Sequence, residues 1–235
     1  MGSPMKSEHS LPEDFGNVVR LFPLPNVVLF PGIVQALQLF EPRYKALVAD
    51  ALETDQLITM ALIDSQAQTQ QSDVPSIAKT VCVGKVLSHT RLEDGRYNVF
   101  LVGVKRAEVV SELITEAPYR MAEVRLIEEQ LVEGHEFSVL RTEVCARFRK
   151  LASYRSGWHQ DALDQFLGED LPLSQLIDMV CYSCGAGITE QQRVLEAVDL
   201  GERGKVVLEI LNSQIEATEN GQGSVQDFPP SFSLN

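Results

Sequence analysis

Between residues 18 and about 128 the apolar positions come in short β-branched runs broken by proline, glycine or asparagine, the pattern of strands joined by tight connections. Residues 57–63 form a continuous apolar run of strand length, which predicts a central strand covered on both faces. Residues 81–89 and 97–104 are two further β-rich runs, and Glu93-Asp94-Gly95 between them has the turn chemistry of a hairpin. One helix interrupts the strands: Pro42 suits a first turn, and Tyr44, Leu47, Val48, Ala51 and Leu52 share one face. Residues 64–73 are polar and without period, which predicts an exposed loop. After Glu128 the period becomes helical. Phe137, Leu140, Val144, Phe148 and Leu151 recur at spacings of three and four, residues 161–167 suit a short helix, and Leu173, Leu176, Ile177 and Val180 mark another, stopped by Gly185 and Gly187. Thr189-Glu190-Gln191-Gln192 fits a capping box, and Asp199 with Glu202 offers a second helix start. The last helix carries Leu200, Val207, Leu208, Leu211 and Ile215 on one face, and Gly201 and Gly204, at about 1 kcal/mol each relative to alanine, predict a weak first turn.

Composition narrows the class. The chain has 235 residues, 44% hydrophobic and 23% charged, enough for one large or two small packed domains and unlike a collagen, a disordered chain or a bilayer-spanning protein. Lysine plus arginine number 20 against 33 aspartates and glutamates, a net charge of −13 that a phosphate backbone would repel, so no nucleic-acid partner is expected. No apolar run reaches the roughly 18 residues of a membrane span, and the first residues are charged where a signal peptide is apolar; the expectation is a cytoplasmic protein without a membrane partner. Met1 to Met5 reads as a cloning remnant.

Candidate chemistry is sparse. A phosphate-binding loop needs glycines followed by Gly-Lys-Ser/Thr, whereas Gly84-Lys85 and Gly204-Lys205 are each followed by valine. Cys181 and Cys184 are the only close pair of metal-ligand type, Cys82 and Cys145 fall inside a strand and a helix, and the four histidines are scattered, so neither a metal nor another cofactor is predicted. Nucleophilic catalysis by Cys145 or by the Cys181/Cys184 pair stays open as an alternative, a small thiol-dependent hydrolase, beside the reading of these thiols as apolar filler.

The most unusual stretch runs from Phe22 through Pro23, Pro25 and Asn26 to Phe30-Pro31-Gly32, where each proline removes a backbone donor and predicts a bend or an edge path. Leu39-Phe40-Glu41-Pro42-Arg43-Tyr44 follows, and together these segments closely resemble the N-terminal substrate-binding domain of the Lon protease family. Val83-Gly84-Lys85-Val86, the run ending in Gly103-Val104-Lys105-Arg106, and Gln191-Gln192 with Leu195 to Asp199 extend the resemblance over residues 18–215.

The resemblance implies an α+β fold, a PUA-like curled β-sheet or pseudo-barrel subdomain followed by a C-terminal helical bundle. The partition is then 1–17 as a flexible start, 18–130 as the β subdomain, 131–216 as the helical subdomain and 217–235 as a flexible tail. It also implies recognition of unfolded or tagged polypeptides, as a stand-alone, noncatalytic adaptor in ATP-dependent proteolysis or protein quality control, because no ATPase or Ser-Lys peptidase motif is found; a separate ATPase or protease is then an expected partner. A PUA-like RNA-binding module is the further alternative, disfavoured by charge. The candidate binding surface is Leu29, Phe30, Pro31, Gly32 and Ile33, rimmed by the loop 66–72 and by the hairpin with Arg91 and Arg96. Pro23, Pro25, Glu41, Pro42, Arg43 and Tyr44 admit two readings, ligand contact or the fixing of local structure, with the second favoured.

Overall fold

The β-branched runs form strands β1 (Val18–Leu24), β2 (Val34–Leu39), β3 (Leu57–Leu62), β4 (Thr80–Arg91), β5 (Tyr97–Leu113) and β6 (Met121–Leu126), joined by the two-residue β7 (Ser233–Leu234). In this computed structural model residues 10–64, 74–129, 134–155, 160–168, 170–221 and 233–234 are described; most of the polar 64–73 loop and of the 217–235 tail lies outside them. The chain divides into two units, Met1–Ile127 with Phe232–Asn235, and Glu128–Ser231. The fold is α+β.

The sheet order is β4-β3-β1-β6-β5-β2-β7, and β4 pairs with β5 as well, so that β4, β3, β1, β6 and β5 close on one another while β2 and β7 extend the sheet beyond β5. One edge of the long β5 serves two strands: its first half takes β2, from Tyr97↔Leu39 to Val102↔Val34, and its second half takes β6. Register shifts at Val83/Gly84 and Val86/Ser88 bend the β4–β5 ribbon. β3, the continuous apolar run, lies between β4 and β1 and is buried along almost its whole length. The interior of this unit is filled by small and branched side chains, Val19, Leu21, Leu57, Val81, Val83 and Val124 among them.

Of the two paths the prolines predict, a bend or an edge, the strand that contains Pro23 does not take the edge, and the bend comes at Pro31-Gly32. β1 is an interior strand between β3 and β6. Pro23 is tolerated because pairing with β6 stops at Arg20: Leu21 N–H still reaches Arg120 O on the β6 side, and Leu24 O takes the Ile63 N–H on the β3 side. By strand alternation the missing N–H of Pro23 faces the β6 side, past the last paired residue, where it costs no ladder bond. Helix α1 (Pro42–Glu53) connects β2 to β3 and buries Tyr44, Leu47, Val48 and Ala51, the expected stripe.

The second unit holds α2 (His135–Ser153), α3 (Gln160–Phe166), α4 (Leu173–Ser183), α5 (Ile188–Glu196) and α6 (Leu200–Glu219). Val144, Phe148 and Leu151 of α2 are buried, and the Phe148 and Phe166 rings stack at 5.4 Å. The start of α5 differs from the sequence expectation: Gly187, not Thr189, is the capping residue, and its N–H donates to Glu190 Oε2 at 2.7 Å. The reach-back that the motif assigned to Gln192 is made by Glu190 instead, because the helix begins two residues earlier than the motif placed it.

The first turn of α6 is anchored, despite Gly201 and Gly204. Asp199 Oδ1 accepts from Glu202 N at 2.9 Å, and the buried Arg203 guanidinium donates to Ala197 O at 2.8 Å and to Glu129 Oε1 at 2.9 Å, with Asp178 at 3.8 Å. Gly204 is a packing glycine: a Cβ there would lie 2.5 Å from Leu140 Cδ2, so its absence lets α2 and α6 approach.

Candidate polypeptide-binding surface

The segment after β1 folds back onto β5. Phe30-Pro31-Gly32-Ile33 is a four-residue turn in which Ile33 N–H donates to Phe30 O at 3.1 Å, proline holds the second position and Gly32 takes φ 80° at the third, the geometry of a type II turn. Two more bonds fasten it to the sheet, Gly32 N to Gly103 O at 2.8 Å and Gly103 N to Ile33 O at 2.9 Å. The approach is close enough that a Cβ on Gly103 would lie 2.1 Å from Phe30 O.

This fastening corrects the candidate surface. Leu29, Phe30 and Ile33 are turned into the core, at 1%, 0% and 9% exposure, so they stabilise the β unit and have no face left for a client; of the five, Pro31 is half-buried and Gly32 exposed. The Phe30 ring lies 6.0 Å from the buried guanidinium of Arg106.

The hairpin has its expected form. Leu92 N donates to Arg96 O at 2.8 Å, Gly95 N to Leu92 O at 2.9 Å, and Gly95 takes φ 78°. Arg96 donates through Nε to Asp94 Oδ2 at 2.7 Å and through NH1 to Gln38 Oε1 at 2.9 Å, tying the hairpin to β2. The Arg96 backbone N–H, followed by its guanidinium, holds the Asp94 carboxyl below the usual carboxylate range. Arg91 stands 5.9 Å over the Tyr97 ring. The turn at Pro31 therefore leads into the start of β2 while the hairpin flanks its end, about 20 Å apart at strand rise. They bracket one strand and do not converge on a pocket. The 66–72 rim lies outside the described residues.

The remaining motif residues make local contacts. Tyr44 is buried, meets Phe22 edge-on at 4.5 Å and donates through its hydroxyl to Pro23 O at 3.3 Å, and burial raises its pKa. Arg43 Nε donates to Glu41 Oε2 at 3.0 Å, with its guanidinium 4.6 Å over the Tyr44 ring. Pro42 opens α1, Pro23 lies within β1 one residue before its end, and Pro25 is exposed just beyond the strand.

What sequence reading missed is an apolar strip on the solvent side of β2, β5 and β4. Val34 is 46% exposed, and Phe100 and Leu87 are each 40% exposed. Register brings them together: Ala36 pairs with Phe100, Phe100 with Ser88, and Leu87 occupies the neighbouring bulge. Phe100 sits within the β-rich run 97–104, where both phases carry apolar residues; the alternation of β2, with Gln35, Leu37 and Leu39 buried, shows which phase faces water. A hollow of about 540 Å³ elsewhere is lined by Pro12, Asp14, Thr54, Asp55, Gln56 and Lys85. It is polar, and Arg20 already holds Asp55 at 2.7 Å.

The thiols are placed as filler. Cys145, Cys181 and Cys184 are all buried, and burial pushes the Cys145 thiol up and that of Cys184 up to about 12. A thiol so shifted is protonated at neutral pH and a poor nucleophile. Among the described residues no cluster of three or more histidine, cysteine or acidic side chains has metal-site geometry, and no helix is long and apolar enough to cross a membrane.

Comparison with known proteins adds to this geometry. A family model described as the ATP-dependent protease La (LON) substrate-binding domain matches residues 18–213. The Lon protease of Dictyoglomus thermophilum is 27% identical over 207 residues, 88% of this chain and 26% of that protein. Lon protease 2 of Myxococcus xanthus is 29% identical over 205 residues, 87% of this chain and 24% of that protein. The chain thus spans about a quarter of the length of these curated relatives. Among solved structures, the N-terminal domain of the Mycobacterium avium complex Lon protease superposes with a TM-score of 0.65 at 16% identity, over 83% of this chain and 98% of that one. A Lon N-terminal domain protein from Xanthomonas campestris gives 0.59 at 20% identity, over 82% and 97%. At these identities the likeness is one of fold, and it is the family model, spanning both the closed sheet and the helices, that carries membership: the chain belongs to the ATP-dependent protease La (LON) substrate-binding domain family.

Proposed function

We propose that this chain is a noncatalytic module that binds unfolded or tagged polypeptides on behalf of ATP-dependent proteolysis, as an adaptor in protein quality control that works with a separate ATPase or protease in the cytoplasm. The observation that carries the reading is the match of the substrate-binding-domain family model to residues 18–213. Two features support it. The exposed Val34, Phe100 and Leu87 offer the apolar contact that an unfolded chain seeks, and the burial of all four cysteines takes the best nucleophiles off the surface.

The test is calorimetric titration with one client protein in two states, native and permanently unfolded by reduction and carboxymethylation, without nucleotide. Binding of the unfolded form with little or none of the native form is the expected result. No binding of several unfolded clients at about 100 µM, which means less than about 5.5 kcal/mol of affinity, would defeat the reading.

A further inference from the structure

The strand lying against the outer edge of β2 comes from far along the chain. β7 pairs with β2 in parallel, Leu37 with Ser233 and Gln38 with Leu234. β2 is in register with β5 over all six of its residues, and β7 spans two of those registers. The sequence of β2, Val-Gln-Ala-Leu-Gln-Leu, has none of the charges or prolines by which sheet edges are normally protected from other chains. Its outward phase carries Val34, next to the exposed Phe100.

An extended segment added to this edge would form main-chain hydrogen bonds, which any sequence free of proline can satisfy, and would lay every second side chain on the face that bears Val34 and Phe100. We propose that the outer edge of β2 accepts an extended, uncharged polypeptide strand with apolar residues at alternate positions, and that Ser233–Leu234 is the resident strand this client displaces. The client half of the statement rests on the polypeptide-binding reading above; the resident strand is already paired there.

The full chain is compared with its double variant Ser233→Pro/Leu234→Pro, since proline lacks the N–H a ladder requires. The probe is a fluorescent peptide alternating valine and threonine, and amide exchange is followed at Val34–Leu39. The variant is expected to bind the peptide at least about threefold more tightly, because the resident strand no longer occupies part of the population. Its β2 amides are expected to exchange faster than in the unsubstituted chain and to regain protection when peptide is added. Equal affinity of the two proteins, or β2 exchange unchanged by the substitutions, overturns the proposal. If neither protein binds the peptide while both still bind a carboxymethylated client, the β2 site is overturned and the polypeptide-binding reading stands; if neither binds either probe, both fall.

Discussion

Replacing Gly103 by alanine pushes two backbones apart. The added Cβ would lie 2.1 Å from Phe30 O and 2.7 Å from Phe30 C, against an ordinary contact beginning near 3.4 Å. The obstacle is main chain, which cannot rotate aside, so the turn at Pro31 must withdraw from β5 by about 1 Å or more. Overpacking of this kind costs about 1–3 kcal/mol. The Gly32–Gly103 and Gly103–Ile33 hydrogen bonds are stretched with it, at about 1 kcal/mol each. Stiffening of the unfolded chain returns about 0.4–1 kcal/mol. The net loss is about 2–4 kcal/mol. The assay is native-state amide exchange at the slowest amides of β1 and β5, which report opening of the β unit independently of the helices. They should exchange about 30-fold to about 1,000-fold faster. Two controls grade the effect. Gly84→Ala meets the side chains of Leu101 and Leu29 at 2.7–3.0 Å, which can shift, and should cost about 1–2 kcal/mol. Gly16→Ala meets nothing within 4 Å and should change stability by less than about 0.5 kcal/mol. A Gly103→Ala protein indistinguishable from Gly16→Ala would refute the packing of this turn onto β5 and the burial of Leu29 and Phe30 that follows from it.

Other outcomes follow from the same structure. Asp50 accepts from Tyr119 Oη at 2.6 Å and from Arg20 Nε at 2.5 Å; the Tyr119 hydrogen bond first, then Arg20, lowers its pKa. As pH falls, the unfolded carboxyl, near 3.9, takes its proton before the folded one, so the stabilisation is present above about pH 4 and is lost below it. Urea titrations from neutral to acid pH should show a shallower decline for Asp50→Asn than for the unsubstituted chain; parallel declines contradict this. In the helical unit, Arg203→Ala leaves the fully buried Asp178 and the partner Glu129 without their cation and should cost about 3–5 kcal/mol, seen as accelerated exchange in α4 and α6; a loss under about 1 kcal/mol counts against a buried ion network. Iodoacetamide followed by intact mass should leave the folded protein unmodified while denaturant exposes its four thiols, and prompt alkylation of Cys181 or Cys184 in the native state would contradict their burial.

Much of this fold is legible in short stretches of sequence. Glu93-Asp94-Gly95 carries its own turn chemistry, Pro42 with the Tyr44–Ala51 stripe specifies α1, and Pro31-Gly32 specifies a turn from residues adjacent in the chain. What escaped depends on partners far away. Leu29 and Phe30 read as a surface until Gly103 brings β5 against them, and Pro23 reads as an edge residue until the early end of β6 pairing makes an interior place for it. Gly204 looks like helix weakness when it is the point of contact with Leu140. Phe100 is hidden in an apolar run because both phases of residues 99–102 are apolar, so hydrophobicity does not tell which phase faces water, and nothing local in Ser233-Leu234 announces a strand whose partner is β2.

The proposed function requires that this chain hold polypeptides and leave them intact. The most direct test incubates the purified protein with a fluorescent, carboxymethylated client, reads anisotropy to obtain the bound fraction, and then takes the intact mass of the client, with and without ATP. Saturable binding with unchanged client mass in both conditions is the expected result. An anisotropy that stays flat up to about 100 µM protein, or client fragments that persist after contaminating proteases are inhibited, would contradict it.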